Sequence, residues 1–295
     1  MSDPVLRLRG RELRTSPARP LVMGIVNASP ESFSDGGEVG DLERQVERAL
    51  VQREDGADLI EVGGESGVTD RPAVPPEVEI TRVAPLVERL AAEDVVVAVD
   101  TWKGEVARAA IEAGAAMVND ASGLIDPAVA DACAESGAGL VVTHTRATPK
   151  EKAFPRYEDV AADVVVFLRE RIAAAAERGV AEEQVVVDPG PDLAKAPADT
   201  VRALLALPAV AELGRPVLLA VSRKDFIGAL TGRAPRERLA GTLAAIGAGL
   251  DAGGSILRVH DVAAAVEFVA VRAVLRGERD VDPDLHLDPG LRRAV

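Results

Sequence analysis

Residues 95–120 read VVVAVDTWKGEVARAAIEAGAAMVND, and this stretch contains one complete unit of the fold. Val95–Asp100 is too short for a helix and almost continuously apolar, which predicts a parallel strand buried on both faces. Lys103–Ala113 has helical spacing, and Gly114 is a typical helix stop. Ala116–Asp120 then repeats the strand pattern. The stretch therefore predicts a strand, a helix and a second parallel strand.

The same unit recurs along the chain. Further helical stretches include Leu42–Asp55, Glu77–Ala92 and Pro127–Ser136. An eightfold strand–helix repeat in about 250 residues is typical of a (β/α)8 barrel. An open doubly wound sheet is the alternative, but the count of eight and the absence of a composition-shifted linker favour the barrel. The eight predicted strands are Leu21–Asn27, Leu59–Gly64, Val95–Asp100, Ala116–Asp120, Gly139–His144, Gln184–Asp188, Pro216–Ser222 and Ser255–His260.

We therefore predict one α/β domain, a (β/α)8 TIM barrel over residues 20–278. A short N-terminal extension, residues 1–19, precedes it, and its residues 5–13 are predicted to form a hairpin against the barrel floor. Residues 279–295 form a C-terminal tail rich in Asp, Pro and Arg.

Composition excludes several functional classes. The 295 residues hold 34 Lys and Arg against 48 Asp and Glu, so the formal charge is −14. Such a chain repels nucleic-acid phosphates and anionic lipids, and 2% aromatic content offers no platform for stacking bases. No apolar run reaches the ~18 residues of a membrane helix. We expect no nucleic-acid or membrane partner and a cytoplasmic location, with the lone Cys133 as a core residue.

Every predicted strand ends in polar residues. A single polar residue there usually caps the next helix, but eight polar ends on one rim indicate a binding site, because barrel active sites lie at the C-terminal ends of the strands. The strand ends carry Asn27, Glu65 and Ser66, Asp100, Asn119 and Asp120, His144, Asp188, Ser222 to Asp225, and Arg258 to Asp261.

The residue types at this rim indicate two kinds of ligand group. Asp100, Asp188 and Asn119 offer acceptors and one amide donor, which suit a flat heterocycle with amino and ring N–H groups, such as an aminopyrimidinone. A second set, Arg258 and His260 with the amide oxygen of Asn27, suits a phosphate-bearing leaving group and a metal ion.

These motifs resemble those of the dihydropteroate synthases, in the order found in that family and over about residues 20 to 275. The matching segments are Met23 to Asn27 with Ser29 to Gly37, Val62 to Ser66, Asp100-Thr101, Asn119-Asp120, Asp188 to Gly190, Ser222 to Lys224, and Arg258 to Asp261.

The resemblance implies a folate-pathway transferase and, commonly, a homodimer. It would join 6-hydroxymethyl-7,8-dihydropterin pyrophosphate to p-aminobenzoate and release pyrophosphate, with Mg²⁺ as cofactor. The loop Ser29–Gly37 would close over the site. The implied roles are Asp100, Asn119, Asp188 and Lys224 for the pterin, with Asp100, Asp188 and Lys224 as the catalytic set, Arg258 and His260 for the pyrophosphate, and Asn27 for Mg²⁺.

Departures from the family pattern cluster on the acceptor side. The Thr-Arg pair that follows Gly-Gly-Glu-Ser is displaced, which leaves Thr69 and Arg71 as substitutes. Leu193 stands where the family has a phenylalanine. Asp225 replaces the serine that, with a helix N-terminus, receives the p-aminobenzoate carboxylate. Its charge would repel that carboxylate by about 1 to 4 kcal/mol at ~4 Å, and its side chain is also a candidate cap for the helix amides.

We therefore expect intact pterin and pyrophosphate halves and an altered acceptor half. The chain would be a weak synthase, a synthase for another acceptor, or a pterin-binding paralogue without synthase activity. A methyltetrahydrofolate-dependent methyltransferase on a related barrel is a further alternative. That class needs neither the Asn27–Gly37 loop nor the pair Arg258 and His260.

Overall fold

A computed structural model of the chain describes residues 5–28, 42–67, 69 and 72–291. All but one of the barrel strands in these ranges agree closely with the predicted ones. They are β1 Val5–Leu8, β2 Arg11–Arg14, β3 Leu21–Asn27, β4 Leu59–Gly63, β5 Val97–Asp100, β6 Met117–Asp120, β7 Gly139–Thr143, β8 Val185–Asp188, β9 Leu218–Leu219 and β10 Ile256–Val259.

Strands β3 to β10 form one parallel barrel. Hydrogen bonds join the strands in the order β8-β7-β6-β5-β4-β3-β10-β9. A parallel bridge between Val187 and Val217 closes the circle, and there the Val187 N–H donates to the Pro216 carbonyl at 3.0 Å. The predicted (β/α)8 barrel is confirmed, and the open sheet is excluded because its two edge strands would not meet.

Helices surround the barrel and follow the strands in alternation. Those that the structure describes are α1 Leu42–Glu54, α2 Pro76–Ala92, α3 Gly104–Glu112, α4 Ala128–Ser136, α5 Val160–Glu177, α6 Pro197–Leu205, α7 Leu207–Ala211, α8 Asp225–Thr231, α9 Leu239–Asp251 and α10 Val262–Leu275. None of the helices in the described ranges is both long enough and apolar enough to cross a membrane.

Local sequence signals explain where several helices begin and end. Asp159 caps α5 by accepting from the Ala161 and Ala162 N–H groups, at 2.9 and 3.1 Å. Helix α2 has proline in its first turn, where the missing N–H costs no hydrogen bond. Gly137 ends α4 at φ 73°, a conformation that favours glycine.

The N-terminal hairpin closes the floor of the barrel. β1 and β2 pair antiparallel, and Leu6 and Leu8 are fully buried in a cluster with inward-facing residues of the barrel strands, including Met23 and Met117. Arg9 donates from Nη1 to the carbonyl of Ile111 at 2.7 Å. The predicted hairpin is confirmed, and it explains why the floor does not open to solvent.

Strand β9 is much shorter than the predicted Pro216–Ser222. The backbone leaves the sheet after Leu219, and the side chain of Ser222 takes over the contact with the neighbouring segment. Its Oγ accepts from the His260 N–H at 3.2 Å and lies 2.9 Å from His260 Nδ1. Side-chain pairing of this kind is not visible in hydrophobic patterning.

We expect Leu8→Ala to lower the free energy of unfolding by about 2 to 5 kcal/mol, because it leaves a cavity where the hairpin packs against the floor of the barrel. Urea unfolding followed by circular dichroism measures this change. Arg7→Ala, on the exposed face of the same strand, is the matched control and should stay within about 0.5 kcal/mol. Equal effects of the two substitutions would contradict the role of the hairpin as a plug.

Candidate functional site

The predicted site residues meet at the C-terminal mouth of the barrel. Asn27, Asp100, Asn119 and Asp188 lie at or near the ends of β3, β5, β6 and β8. Arg258 reaches the same mouth from β10, where its Nη2 donates to Asp100 Oδ2 at 3.1 Å. The convergence inferred from strand ends is thus present in three dimensions.

Glu61, in the middle of β4, organises this mouth and was missed by sequence reasoning. Its carboxylate is 1% exposed. Oε1 accepts from Arg258 Nε at 2.7 Å, and Oε2 accepts from Asn119 Nδ2 at 2.7 Å. A charged residue inside the otherwise apolar run Leu59–Gly63 was the available signal, because a buried carboxylate requires partners.

The hydrogen bond to Glu61 fixes the orientation of the Asn119 side-chain amide. Since Nδ2 donates to Glu61, Oδ1 is the atom left over, and this buried oxygen has no hydrogen-bond partner within the described ranges. Asp188 is also buried, with Oδ1 accepting from the Gly190 N–H at 2.7 Å. The pocket wall therefore offers acceptors that require N–H donors from a ligand.

Burial and neighbouring negative charge raise the pKa values of the carboxyl groups in the mouth. Burial, reinforced by the neighbouring Glu61 charge, raises the pKa of Asp100 to about 7 against the pull of Arg258. Burial also raises the pKa of Asp188. Such shifts are typical of functional sites, where charged groups are desolvated in advance of binding.

Three lysines follow strand ends, and the structure separates their roles. Lys103 is bound by Glu65 and Glu79, and Lys195 donates to three backbone carbonyls, those of His144, Gly190 and Leu193, at 2.9 to 3.1 Å. Both stabilise loops. Lys224 makes no hydrogen bond from Nζ to any part of the chain that the structure describes, and burial followed by the charge of Arg258 lowers its pKa. Lys224 is the lysine available to a ligand.

His260 is a neutral side chain in this mouth. Burial, with the nearby charges of Arg223 and Arg258, lowers its pKa to about 4, so the ring is neutral near pH 7. The Ser222 Oγ accepts a hydrogen bond from the backbone N–H of His260. The hydroxyl hydrogen of Ser222 is therefore available to donate to Nδ1 of the His260 ring. That arrangement favours the tautomer with a proton on Nε2, which is a neutral donor to an anion.

The acceptor side is arranged differently from the expectation for Asp225. The Asp225 side chain does not cap α8; instead, Asp192 Oδ2 accepts from the Asp225 N–H at 2.5 Å and from the Phe226 N–H at 3.3 Å. Asp225 Oδ1 accepts from Arg238 Nη1 at 2.8 Å. Leu193 is half-buried in the β8–α6 loop, and Thr69 is likewise half-buried. Arg71 and the loop Ser29–Gly37 lie outside the described residues.

A family comparison agrees with this geometry. Residues 23–260 match the family described as "Pterin binding enzyme". The chain is 40% identical over 246 residues to the dihydropteroate synthase of Bacillus subtilis, covering 83% of this chain and 84% of that protein. It belongs to the dihydropteroate synthase family. The chain is therefore a pterin-binding transferase of folate biosynthesis, as its motifs predicted.

Other relatives widen this picture. The chain is 42% identical over 276 residues to a Mycobacterium tuberculosis protein named "Inactive dihydropteroate synthase 2", covering 88% of this chain and 84% of that one. A Haloferax volcanii protein named as a probable bifunctional folylpolyglutamate synthase/dihydropteroate synthase is 39% identical, and the chain spans 31% of its length. The family thus includes members that differ in activity and in domain content.

A solved structure confirms the fold match. The dihydropteroate synthase of Xanthomonas albilineans with 4-aminobenzoic acid superposes with a TM-score of 0.86 at 44% identity, covering 93% of this chain and 99% of that chain.

We expect Asp100 to make the protein less stable as the pH rises. Its pKa is near 7 when folded and near 4 in an unfolded chain, so its favourable contribution is fully present below about pH 4 and is lost as the pH rises through 7. Asp100→Asn should remove this loss, so its stability relative to the unsubstituted protein should rise between pH 4 and 7. Urea unfolding at several pH values measures this.

Asp163→Asn is the control of opposite sign. Its hydrogen bond from Arg146 lowers the pKa of Asp163, so the stabilising contribution is present above the unfolded pKa and is lost as the pH falls. A parallel trend for the two variants would contradict the assignment of a raised pKa to Asp100.

Proposed function

We propose that the chain condenses 6-hydroxymethyl-7,8-dihydropterin pyrophosphate with p-aminobenzoate, giving dihydropteroate and pyrophosphate. The observation that carries this proposal is the juxtaposition of buried, unsatisfied acceptors with a guanidinium group in one barrel mouth. Asn119 Oδ1 and Asp188 form the acceptor wall, and Arg258 stands beside them. One end of the ligand must then supply N–H donors and the other end negative charge.

The pterin ring would bind to the acceptor wall. Asp188 and Asn119 accept hydrogen bonds from the ring N–H and exocyclic amino groups, and Asp100 accepts a further one when ionised. Lys224 donates to the ring carbonyl or a ring nitrogen. An analogue that lacks the amino group leaves buried acceptors unpaired, which gives strong selectivity.

The diphosphate would bind to Arg258 and His260. Arg258 uses Nε and Nη2 for Glu61 and Asp100, and its Nη1 has no partner in the ranges that the structure describes. The neutral His260 contributes a donor from Nε2. Arg258 and His260 therefore stabilise the negative charge that builds up on the leaving group.

The reaction exchanges one bond at the pterin methylene carbon. The carbon–oxygen bond to the diphosphate breaks, and its electron pair leaves with the diphosphate. The amine nitrogen of the acceptor forms the new carbon–nitrogen bond and then loses a proton to solvent. A neutral aromatic amine is already nucleophilic, so the residues of the mouth act by orientation and charge stabilisation.

Mg²⁺ is part of this proposal, with Asn27 as the residue that would hold it. The Asn27 side chain is exposed at the end of β3, and its Oδ1 and the Asp100 Cβ both lie close to Gly63. No cluster of three His, Cys, Asp or Glu ligands exists among the described residues. A single amide oxygen fits Mg²⁺ that is held mainly by phosphate oxygens and water. When bound, the ion would neutralise charge on the departing diphosphate.

A second candidate function is pterin binding without synthase activity. The relative named "Inactive dihydropteroate synthase 2" favours it, together with the acidic residues Asp192 and Asp225 on the acceptor side. The two functions share the pterin site, so only turnover separates them.

Pyrophosphate release tests the proposed function. We expect release that depends on the pterin substrate, an aromatic amine and Mg²⁺. Asp188→Asn and Lys224→Met should each lower kcat/KM by about 100-fold or more, because each removes a charged hydrogen bond at a desolvated site. Asp131→Asn removes an exposed ion pair between Asp131 on α4 and Arg178 at the end of α5, and it should leave kcat/KM unchanged.

The alternatives give different results. Tight binding of the pterin substrate without release with any amine would support the binding protein. Binding of methyltetrahydrofolate that is insensitive to pyrophosphate would support the methyltransferase.

We also propose a homodimer and a cytoplasmic location. Leu230 on α8 and Val271 and Leu275 on α10 are large apolar side chains that are 60 to 80% exposed, which supports an interface there. Leu275→Asp should halve the mass measured by light scattering, whereas Leu285→Asp in the tail should not.

The cytoplasm is where a diphosphate ester that cannot cross a bilayer would be made and used, and cell fractionation tests this location.

A further inference from the structure

The carboxyl end of β7 directs a threonine side chain into the mouth of the barrel. Side chains alternate along a strand, and Val141 on β7 belongs to the inner cluster that also holds Met23 and Met117. Thr143, two residues further along the same strand, therefore points inward as well. It pairs in register with Asp188 on β8. Thr143 is thus the residue of β7 that faces the proposed ligand site.

His144, the next residue, points away from the mouth. Its Nε2 lies 2.8 Å from Asp163 Oδ2, and its ring meets the Phe167 ring edge-on at a centroid distance of 5.0 Å. Asp163 and Phe167 both belong to α5, so the imidazole packs between the barrel and that helix. The pattern of polar strand ends indicated His144 here, but the structure brings Thr143 to the mouth in its place.

The hydroxyl of Thr143 has no partner in the part of the chain that the structure describes. The residue is 1% exposed, and its Oγ1 neither donates nor accepts a hydrogen bond within those ranges. A buried hydroxyl without a partner is unfavourable, so native structures seldom keep one without a use. Asn119 Oδ1, on the neighbouring strand β6, is in the same state. Two unpaired polar atoms on adjacent strands of the mouth point to one ligand that binds both.

The Thr143 hydroxyl differs from its two neighbours because it can donate a hydrogen bond. Strand β7 lies between β6, which carries Asn119, and β8, which carries Asp188. An amide oxygen and a carboxylate only accept, whereas a threonine hydroxyl has one hydrogen to donate. A pterin ring carries, beside its amino group, a ring nitrogen with a free lone pair. Thr143 can therefore donate to that nitrogen while Asn119 and Asp188 accept from the N–H groups.

We propose that Thr143 is a further ring-binding residue, whose hydroxyl donates a hydrogen bond to the unprotonated ring nitrogen next to the amino group of the pterin. This inference rests on the proposed function, which supplies the pterin, and adds a specificity-determining residue to its ring site. A ring with C–H in place of that nitrogen would leave the buried hydroxyl unpaired and should bind more weakly. The mouth then selects for a lone pair as well as for N–H groups.

Calorimetric titration with 6-hydroxymethylpterin tests the assignment. Thr143→Val keeps the shape of the side chain and removes the hydroxyl, so we expect it to raise the Kd about five- to tenfold. Thr143→Ser keeps the hydroxyl and should stay within about threefold of the unsubstituted protein. The analogue with C–H in place of the ring nitrogen should bind the unsubstituted protein about five- to tenfold more weakly, and Thr143→Val should reduce this preference to about twofold or less.

The stability of the ligand-free protein separates ring binding from a structural role. Because the Thr143 hydroxyl has no partner in the described ranges, Thr143→Val should leave the midpoint of urea unfolding unchanged or raise it. Thr15→Val is the matched control, since the fully buried Thr15 hydroxyl donates to the Ser255 carbonyl just before β10 begins, at the floor of the barrel. Thr15→Val should lower the urea midpoint and leave the Kd for the pterin unchanged.

The assignment is overturned if Thr143→Val binds the pterin as tightly as the unsubstituted protein, or if both proteins distinguish the two rings equally well. A fall in the urea midpoint as large as that of Thr15→Val would show a structural hydroxyl and would overturn it too. If the unsubstituted protein binds no pterin, the proposed function fails and this assignment fails with it. Pterin binding that depends on Thr143 but gives no pyrophosphate release contradicts only the synthase activity and supports the role of Thr143.

Discussion

The buried carboxylate of Glu61 is the constraint on which the mouth of this barrel depends. It receives a hydrogen bond from Arg258 on β10 and another from Asn119 on β6, and so links three strands that are distant in sequence. A buried carboxylate without these partners would be strongly destabilising, and the partners without Glu61 would be left unpaired. The site is therefore preorganised by electrostatics and not only by backbone geometry.

That constraint also divides the mouth into two chemical halves. Glu61 takes the donor side of Asn119 and part of the Arg258 guanidinium, which leaves acceptors facing the ring site and cationic N–H groups facing the position proposed for the diphosphate. Charge separation of this kind suits a substrate whose bond breaks with charge moving toward one end. The acceptor side is built differently, because its charged groups bind one another or the backbone: Asp192 accepts from the start of α8, and Asp225 accepts from Arg238.

Much of the fold could be predicted because its signals are local. Apolar runs, helical spacing and terminal glycines located the barrel strands to within a few residues, except β9. The length of strand β9 was overestimated because Ser222 replaces backbone pairing with a side-chain contact to His260. The family motifs also identified Asp100, Asn119, Asp188, Lys224 and Arg258 as neighbours before any coordinates, since a closed barrel brings strand ends to one rim.

The sequence by itself determined the barrel, the family and the residues at the strand ends, though not Glu61, because periodicity and motif order depend only on neighbours along the chain. Tertiary structure decided what each residue does there. Lys195 and Lys224 both follow strand ends. Lys195 is structural because its Nζ donates to three backbone carbonyls, whereas Lys224 is available to a ligand. Likewise, Asp192 and not Asp225 caps α8, because the loop after β8 reaches across to it, and the distance between two loops is set by packing.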